Sequence, residues 1–339
     1  MQTTCRANLL MRTWKTGLLL LAFGAGNQAV ELLAQDSKPV SSVQRPTSTK
    51  PTSQAQTTVR KPVVAQLPAE ELTKLEWQPN YATAVQVAAS SKKMVLAVFT
   101  DPNSERSIVP GIEKQLANPR NAKAVAQHVL VKVPTNATIT IKGRESRLIS
   151  HPSFSELRGG PGLAVIDYAN EGTAHHKLVV NQLPFASGKF YRFSASSVPA
   201  LLTLPPGTLT QRSMIYAVRI HPEGPQSCCG SLNPVLREEA TSHSQHQASI
   251  GAQGHHNWDS RFQRIRGRLL PFGGRGMPRE VVAESWPNQG LMDSCVDCVH
   301  SWRQSDGHWS AVRAPQNQYA YDIRRGNNGI WYGTGIFSN

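Results

Sequence analysis

Apolar and polar positions divide the chain into a leader, a polar stretch and two patterned regions. Residues 1–34 open with Arg6, Arg12 and Lys15 and run into Thr16 to Ala25 (TGLLLLAFGA) before the small residues Ala29 and Ala34. A basic start, a short apolar run and small residues form the layout of an export signal, and the run is too short to span a bilayer comfortably. An uncleaved membrane anchor is the competing reading. Residues 35–70 are dominated by Ser, Thr, Pro, Gln and Lys. Such a stretch buries too little apolar surface to offset its ordering entropy, which predicts a disordered spacer. Regular patterning begins near Trp77. Within Tyr81 to Ser91, Tyr81, Val85, Ala88 and Ala89 share one helical face. Met94 to Thr100 (MVLAVFT) reads as a buried strand, Ile112 to His128 as one or two helices and Val129 to Val133 as a strand. A helical turn at Pro152 to Leu157 leads through Gly159-Gly160-Pro161-Gly162 into a strand at Leu163 to Tyr168. A fourth strand is expected over Lys177 to Val180 and a closing helix over Val198 to Leu202.

Leu204-Pro-Pro-Gly-Thr208 ends this region, and no lysine occurs after Lys189. Beyond it, Leu209 to Ile220 and Asn233 to Ser249 read as helices. In the second of these, Asn233 suits the N-cap and Pro234 the first helical position. Its expected apolar face carries Val235 or Leu236, Ala240, His243 and Gln247. Val296 to Gln304 predicts a third helix, and Gly329 to Phe337 a glycine-spaced β segment. The four regions are therefore 1–34 signal, 35–70 spacer, 71–207 first α/β domain and 208–339 second domain, which suits the two-domain prior for 339 residues.

Composition changes the picture in two ways. The formal net charge is +14. A basic exported protein is drawn to anionic polymers, lipid headgroups or wall polysaccharide, although a merely solubilising basic surface gives the same count. Nucleic acid is disfavoured, since neither zinc-finger spacing nor an aromatic-basic signature is present. The second change is the crowding of chemistry-bearing residues after residue 208. Cys228, Cys229, Cys295 and Cys298 lie there, as do His243, His246, His255, His256 and His308. Four cysteines in an exported domain suggest two disulfides, in three possible pairings. Stapling the Cys295/Cys298 helix face to the 228–229 loop is the favoured arrangement, with a redox pair or half of a zinc site as rivals. Gly273-Gly-Arg-Gly276 reads as a flexible loop. There is no Gly-x-Ser-x-Gly, no His-Glu-x-x-His and no phosphate loop.

Two resemblances follow from these residues. Residues 75–204, in the order helix, strand, helix, strand, turn, proline, strand, resemble the thioredoxin fold. That family opens its active-site helix with Cys-x-x-Cys; Asp101 to Arg106 stands there without a cysteine. Pro161 stands where the family has its cis-proline. The resemblance implies a redox-dead binding or spacer module, because thiol exchange needs a thiolate.

Residues 208–339 resemble the CAP superfamily of cysteine-rich secretory proteins. The carriers are Ala240-Thr-Ser-His243-Ser244, then His255 and His256, then Ala283-Glu284-Ser285, and Val299-His-Ser-Trp302-Arg-Gln-Ser305-Asp-Gly-His308, with Gly329 to Phe337 as the closing aromatic strand. The resemblance implies a cavity with His255 or His256, Glu284 and His308. The family's second glutamate falls at Ser305, so one acid is missing. Such a set would take zinc or do acid-base chemistry. The expected fold class is α/β in two domains, a thioredoxin-like domain followed by a CAP-type α-β-α sandwich. The expected function is an exported, non-catalytic protein that binds a lipid, a cell-envelope component or a partner protein. A metal-dependent or acid-base hydrolase, and a purely structural envelope protein, are the alternatives.

Overall fold

The computed structural model describes residues 72–104, 107–141, 143–272 and 277–339. The expected export signal and spacer, and the glycine-rich loop at 273–276, fall outside them. The fold is mixed α/β.

The first half runs β1 (Trp77–Gln78), α1 (Tyr81–Ser91), β2 (Met94–Thr100), α2 (Val109–Leu116), α3 (Ala122–Val125), β3 (His128–Pro134), β4 (Thr138–Ile141), β5 (Arg144–Arg147), β6 (Gly162–Ile166), β7 (Val179–Pro184) and α4 (Val198–Leu202). Helix α1 starts where the Asn80 side chain accepts from the Thr83 amide at 2.9 Å, a cap worth about 1 kcal/mol. The segment between Ile112 and His128 holds two helices because Asn118 and Pro119 interrupt it with a 3-10 turn. The β4–β5 hairpin is not among the expected elements: β4 alternates Thr and Ile, but its partner β5 is wholly polar and exposed.

Five of these strands form one sheet in the order β1-β3-β2-β6-β7. β1, β3 and β2 are parallel, while β6 and β7 run antiparallel to their neighbours. β2 lies at the centre, which is why its sequence is continuously apolar. Its alternate residues face different cores. Val95, Ala97 and Phe99 pack with Ala84 and Ala88 of α1, whereas Leu96 and Val98 face the opposite side. The expected cis peptide at Pro161 is not formed: no cis peptide bond occurs among the described residues. Pro161 instead anchors the sheet end through its carbonyl, which accepts from the Phe185 amide at 3.1 Å.

The second half runs α5 (Leu209–Arg219), β8 (Ser231–Leu232), α6 (Pro234–Ile250), α7 (Trp258–Leu269), β9 (Arg279–Glu284), α8 (Leu291–Arg303), α9 (Asp306–Arg313), β10 (Gln318–Arg325) and β11 (Trp331–Ser338). As predicted, Asn233 caps α6, its side chain accepting from the Val235 and Leu236 amides. The predicted third helix is α8, which begins earlier, at Leu291.

The second sheet has the order β8-β10-β11-β9. On one face Ala320 and Ile336 pack against Leu236 and Ala240 of α6 and Ile265 and Leu269 of α7. On the other, Tyr319, Tyr321, Ile323 and Phe337 meet α5 and α8. Close approach explains the glycines of β11. A Cβ on Gly335 would stand 2.5 Å from the Tyr321 ring, and one on Gly333 would stand 3.1 Å from Cys298 Sγ.

All the described residues lie in one compact unit, Ala65–Asn339. The core that takes Leu96 and Val98 from the first sheet is the same core that takes Tyr321 and Phe337 from the second. Helix α5 is shared between them. Arg212 on α5, only 1% exposed, donates from Nε to Asn181 Oδ1 of β7 at 2.6 Å and from Nη1 to the Leu204 and Pro205 carbonyls at 3.1 and 2.8 Å. The turn at 204–208 therefore lies inside a continuously packed structure.

Candidate functional site

The histidines after residue 208 separate into two groups. His255 stands in the loop between α6 and α7. That loop leaves α6 through Gly251, whose φ of +68° suits a residue without a side chain. Beyond the loop, α7 brings Arg261, β9 brings Glu280 and α9 brings His308.

Glu280 is the hub. Its carboxylate is 1% exposed and accepts both guanidinium nitrogens of Arg261, Nη1 at 3.1 Å to Oε1 and Nη2 to Oε2. His255 Nδ1 lies 3.0 Å from the same Oε1. His255 Nε2 in turn lies 3.3 Å from His308 Nε2. A carboxylate only accepts, so His255 carries a hydrogen on Nδ1; with the ring neutral its Nε2 lone pair receives the His308 Nε2–H, and with the ring protonated its Nε2–H is donated to His308. With both rings neutral, the network leaves His308 Nδ1 as the acceptor at the end of the chain. His243 on α6 backs the hub from inside. Its Nε2 donates to the Gly254 carbonyl at 2.9 Å and stands 3.6 Å from Glu280 Oε1.

The electrostatics follow from burial. Burial pushes the Glu280 carboxyl up, but the hydrogen bonds from His255 and Arg261 outweigh it and hold the group below its usual range. Burial drives His243 down to about 4, against the pull of Glu280, so this ring is neutral near pH 7. His308 is also lowered, by partial burial and by the facing His255. His255 is the solvent-facing member, with a side chain 43% exposed.

Two of the four expected cavity residues meet here, and two do not. His255 rather than His256 faces His308. His256 turns back toward α6, its Nε2 3.3 Å from the Ala252 carbonyl and its ring 5.5 Å from that of His246. Glu284 is exposed at the far end of β9, roughly 13 Å beyond Glu280 at the rise of a strand. Glu280, not Glu284, is the glutamate beside His255. The strand Arg279–Glu284 offers a glutamate near each end, and nothing local distinguishes them. Arg261 was missed because α7 itself was not predicted.

Zinc meets a partial fit. Two imidazole nitrogens 3.3 Å apart match the edge of a tetrahedron with zinc–nitrogen bonds of about 2.0–2.1 Å. Glu280, however, is saturated by Arg261 and His255. Among the described residues no group of three or more His, Cys, Asp or Glu side chains could hold a metal ion. The set falls short of the three protein ligands that an open zinc site requires.

The expected disulfide staple is also not formed: Cys228, Cys229, Cys295 and Cys298 are all free thiols. Cys295 and Cys298 lie on the buried face of α8, where Cys298 meets Gly333 of β11. Cys228 is buried beside Ser227, whose hydroxyl bonds Tyr321 Oη at 2.7 Å. Cys229 points outward, with its thiol donating to Gln226 Oε1 at 3.0 Å. Burial lifts Cys228 to about 12 and raises Cys295 and Cys298 as well, so none of the three is a nucleophile near pH 7.

Chemically, the array can share a proton between two imidazoles, hold an imidazolium against a fixed carboxylate and bind a polar or anionic group at His308. Among the described residues no hydroxyl or thiol is hydrogen-bonded to either ring. Comparison with family models, with curated proteins and with solved structures returns no match for this chain.

Proposed function

We propose that this chain is an exported, non-catalytic binding protein of the cell envelope, in which the CAP-like second half engages a lipid, a wall component or a partner protein. The observation that carries the reading is the Glu280–His255–His308 array. It is hydrogen-bonded from end to end and open at the surface, and among the described residues no hydroxyl or thiol is hydrogen-bonded to either ring. An acid-base pair without a nucleophile or a three-ligand metal is better suited to anchoring than to bond cleavage.

The architecture supports both resemblances on which the reading rests. In the first sheet β1, β3, β2 and β7 run in one direction and β6 against them, and residues 72–207 hold no thiol, which favours a thioredoxin-like reading without redox chemistry. The second sheet has helices on both faces, as in a CAP-type sandwich. The net charge of +14 favours anionic polymers and headgroups as ligands.

The test pairs two measurements on the full chain and on His308→Ala. The first is co-sedimentation with insoluble cell-wall polysaccharide and with vesicles containing an anionic lipid. The second is calorimetric titration with zinc. Wall or vesicle binding weakened by the substitution, with no tight zinc uptake, supports the binding reading. Tight zinc binding lost in His308→Ala, with no envelope binding, replaces it with the metal-dependent hydrolase.

A further inference from the structure

A second cavity lies away from the histidine array, between the loop after β7 and the helix α8. It measures about 370 Å³ and includes Lys189, Phe190, Glu284, Trp286, Asp297 and His300 in its wall. The loop is fastened to α8 by the Gly188 amide, which donates to Asp293 Oδ1 at 2.7 Å. Phe190 stacks flat on His300, with centroids 3.5 Å apart and planes 8° from parallel. Trp286 is 64% exposed, an unusual position for so large an apolar face.

Two features make this a cation box. First, the chain's own ammonium occupies it: Lys189 Nζ lies 5.3 Å from the Phe190 ring centre and 5.7 Å from that of Trp286. Both distances are within the reach of a cation–π contact, about 6 Å. Second, Asp297 in the cavity wall is only 5% exposed, and neither of its carboxylate oxygens has a hydrogen-bond partner. Burial raises the Asp297 carboxyl above its usual range, and Gln289, the Lys189 ammonium and the Trp286 backbone only partly offset this, without making a hydrogen bond of good geometry to it. Lys189 forms no ion pair with it. A buried carboxyl left this way has no bonded counter-charge, and a cation seated against it would favour its ionised form.

From this geometry we propose that the cavity binds an organic ammonium group, a small amine or quaternary ammonium, held between the aromatic faces and the Asp297 carboxylate, with Lys189 as a tethered competitor. The exposed tryptophan would also suit a sugar ring. A sugar, however, needs hydrogen-bonding groups of both kinds held ready, whereas the unmet atoms here are two carboxylate oxygens, which call for positive charge.

The probe is choline, titrated into the full chain and followed by calorimetry and by the indole NMR signals. Its uncharged carbon isostere, 3,3-dimethyl-1-butanol, and N-acetylglucosamine serve as controls. Choline should bind saturably and the controls should not. Asp297→Asn should weaken choline by about tenfold, the scale of one desolvated cation contact. Trp286→Ala, at an exposed position that leaves folding intact, should weaken it by about fivefold. Lys189→Met should tighten it, since the internal competitor is gone. Equal binding of the isostere, binding of the sugar alone, or no saturable choline binding by either the wild type or Lys189→Met would overturn the proposal. The cavity shares no residue with the His255–His308 array, so failure here leaves the envelope-binding reading standing, and the converse holds.

Discussion

Glu280→Gln tests whether the histidine array is organised by a buried charge. The substitution keeps the shape of the side chain and one acceptor for His255, but removes the charge that Arg261 faces. Arg261 is itself buried and bonds both carboxylate oxygens. Removing one partner of a buried ion pair costs about 3–5 kcal/mol, mostly because the other charge is left uncompensated. Glutamine retains shape and one acceptor, so the lower end, about 3 kcal/mol, is expected. At about 2–4 °C per kcal/mol for a structure of this size, Tm should fall by about 6–12 °C at pH 7. The pH dependence supplies an independent check. The folded carboxyl is held below its usual range. Its stabilisation is therefore present above the unfolded value, about 4.3, and is lost as pH falls through the folded value. Glutamine has no such dependence, so the two Tm curves should converge below about pH 4. Differential scanning calorimetry from pH 7 to pH 3 reads both effects. A Tm at pH 7 within about 1 °C of the wild type, or a gap that persists undiminished at pH 3, would refute the argument.

Other measurements address the rest of the molecule. His128 and His243 are buried and held down to about 4, so the unfolded chain takes protons near pH 6.5 that the folded chain refuses. Stability is complete above about pH 6.5 and falls toward pH 4, by roughly 3 kcal/mol for each ring. Urea midpoints at pH 7 and pH 4.5 should show this, and His243→Gln should flatten the slope. Of the four cysteines after residue 208, only Cys229 should react with a thiol reagent in the native protein, and all four should react in denaturant. Mass-mapped labelling reads the count, and a disulfide would appear as two missing labels. Arg212→Met leaves the Asn181 amide oxygen and two carbonyls unpaired in the interior. It should cost about 3–5 kcal/mol while unfolding stays a single transition by both tryptophan fluorescence and circular dichroism. Two separated transitions would show that the halves do not share a core.

The elements most legible in the chain were those whose cause is local. The buried strand at Met94–Thr100, the helix at Tyr81–Ser91 and the Asn233-Pro234 start of α6 each follow from side chains within a few positions of one another. The mixed α/β class and the gathering of histidines after residue 208 were legible for the same reason. What tertiary structure decided was every question of partnership. The run Arg279–Glu284 carries two glutamates, and only the packing of α7 and α9 selects Glu280, by bringing Arg261 and His308 to its end of β9. Adjacent His255 and His256 are chemically identical in sequence, and the turn after Gly251 sends one to His308 and the other back toward His246. The cysteines suggested a staple, but the faces of α8 and of the 221–230 loop bury three of them as free thiols in the core. The Leu204-Pro-Pro-Gly boundary shows the same limit. A break in local pattern marks the end of an element, whereas continuity of the interior depends on which faces meet. Here α5, with Arg212 buried in it, joins two sheets that the sequence reads as separate. Local spacing fixes which surfaces are apolar; pairing them is a long-range choice made by the whole chain.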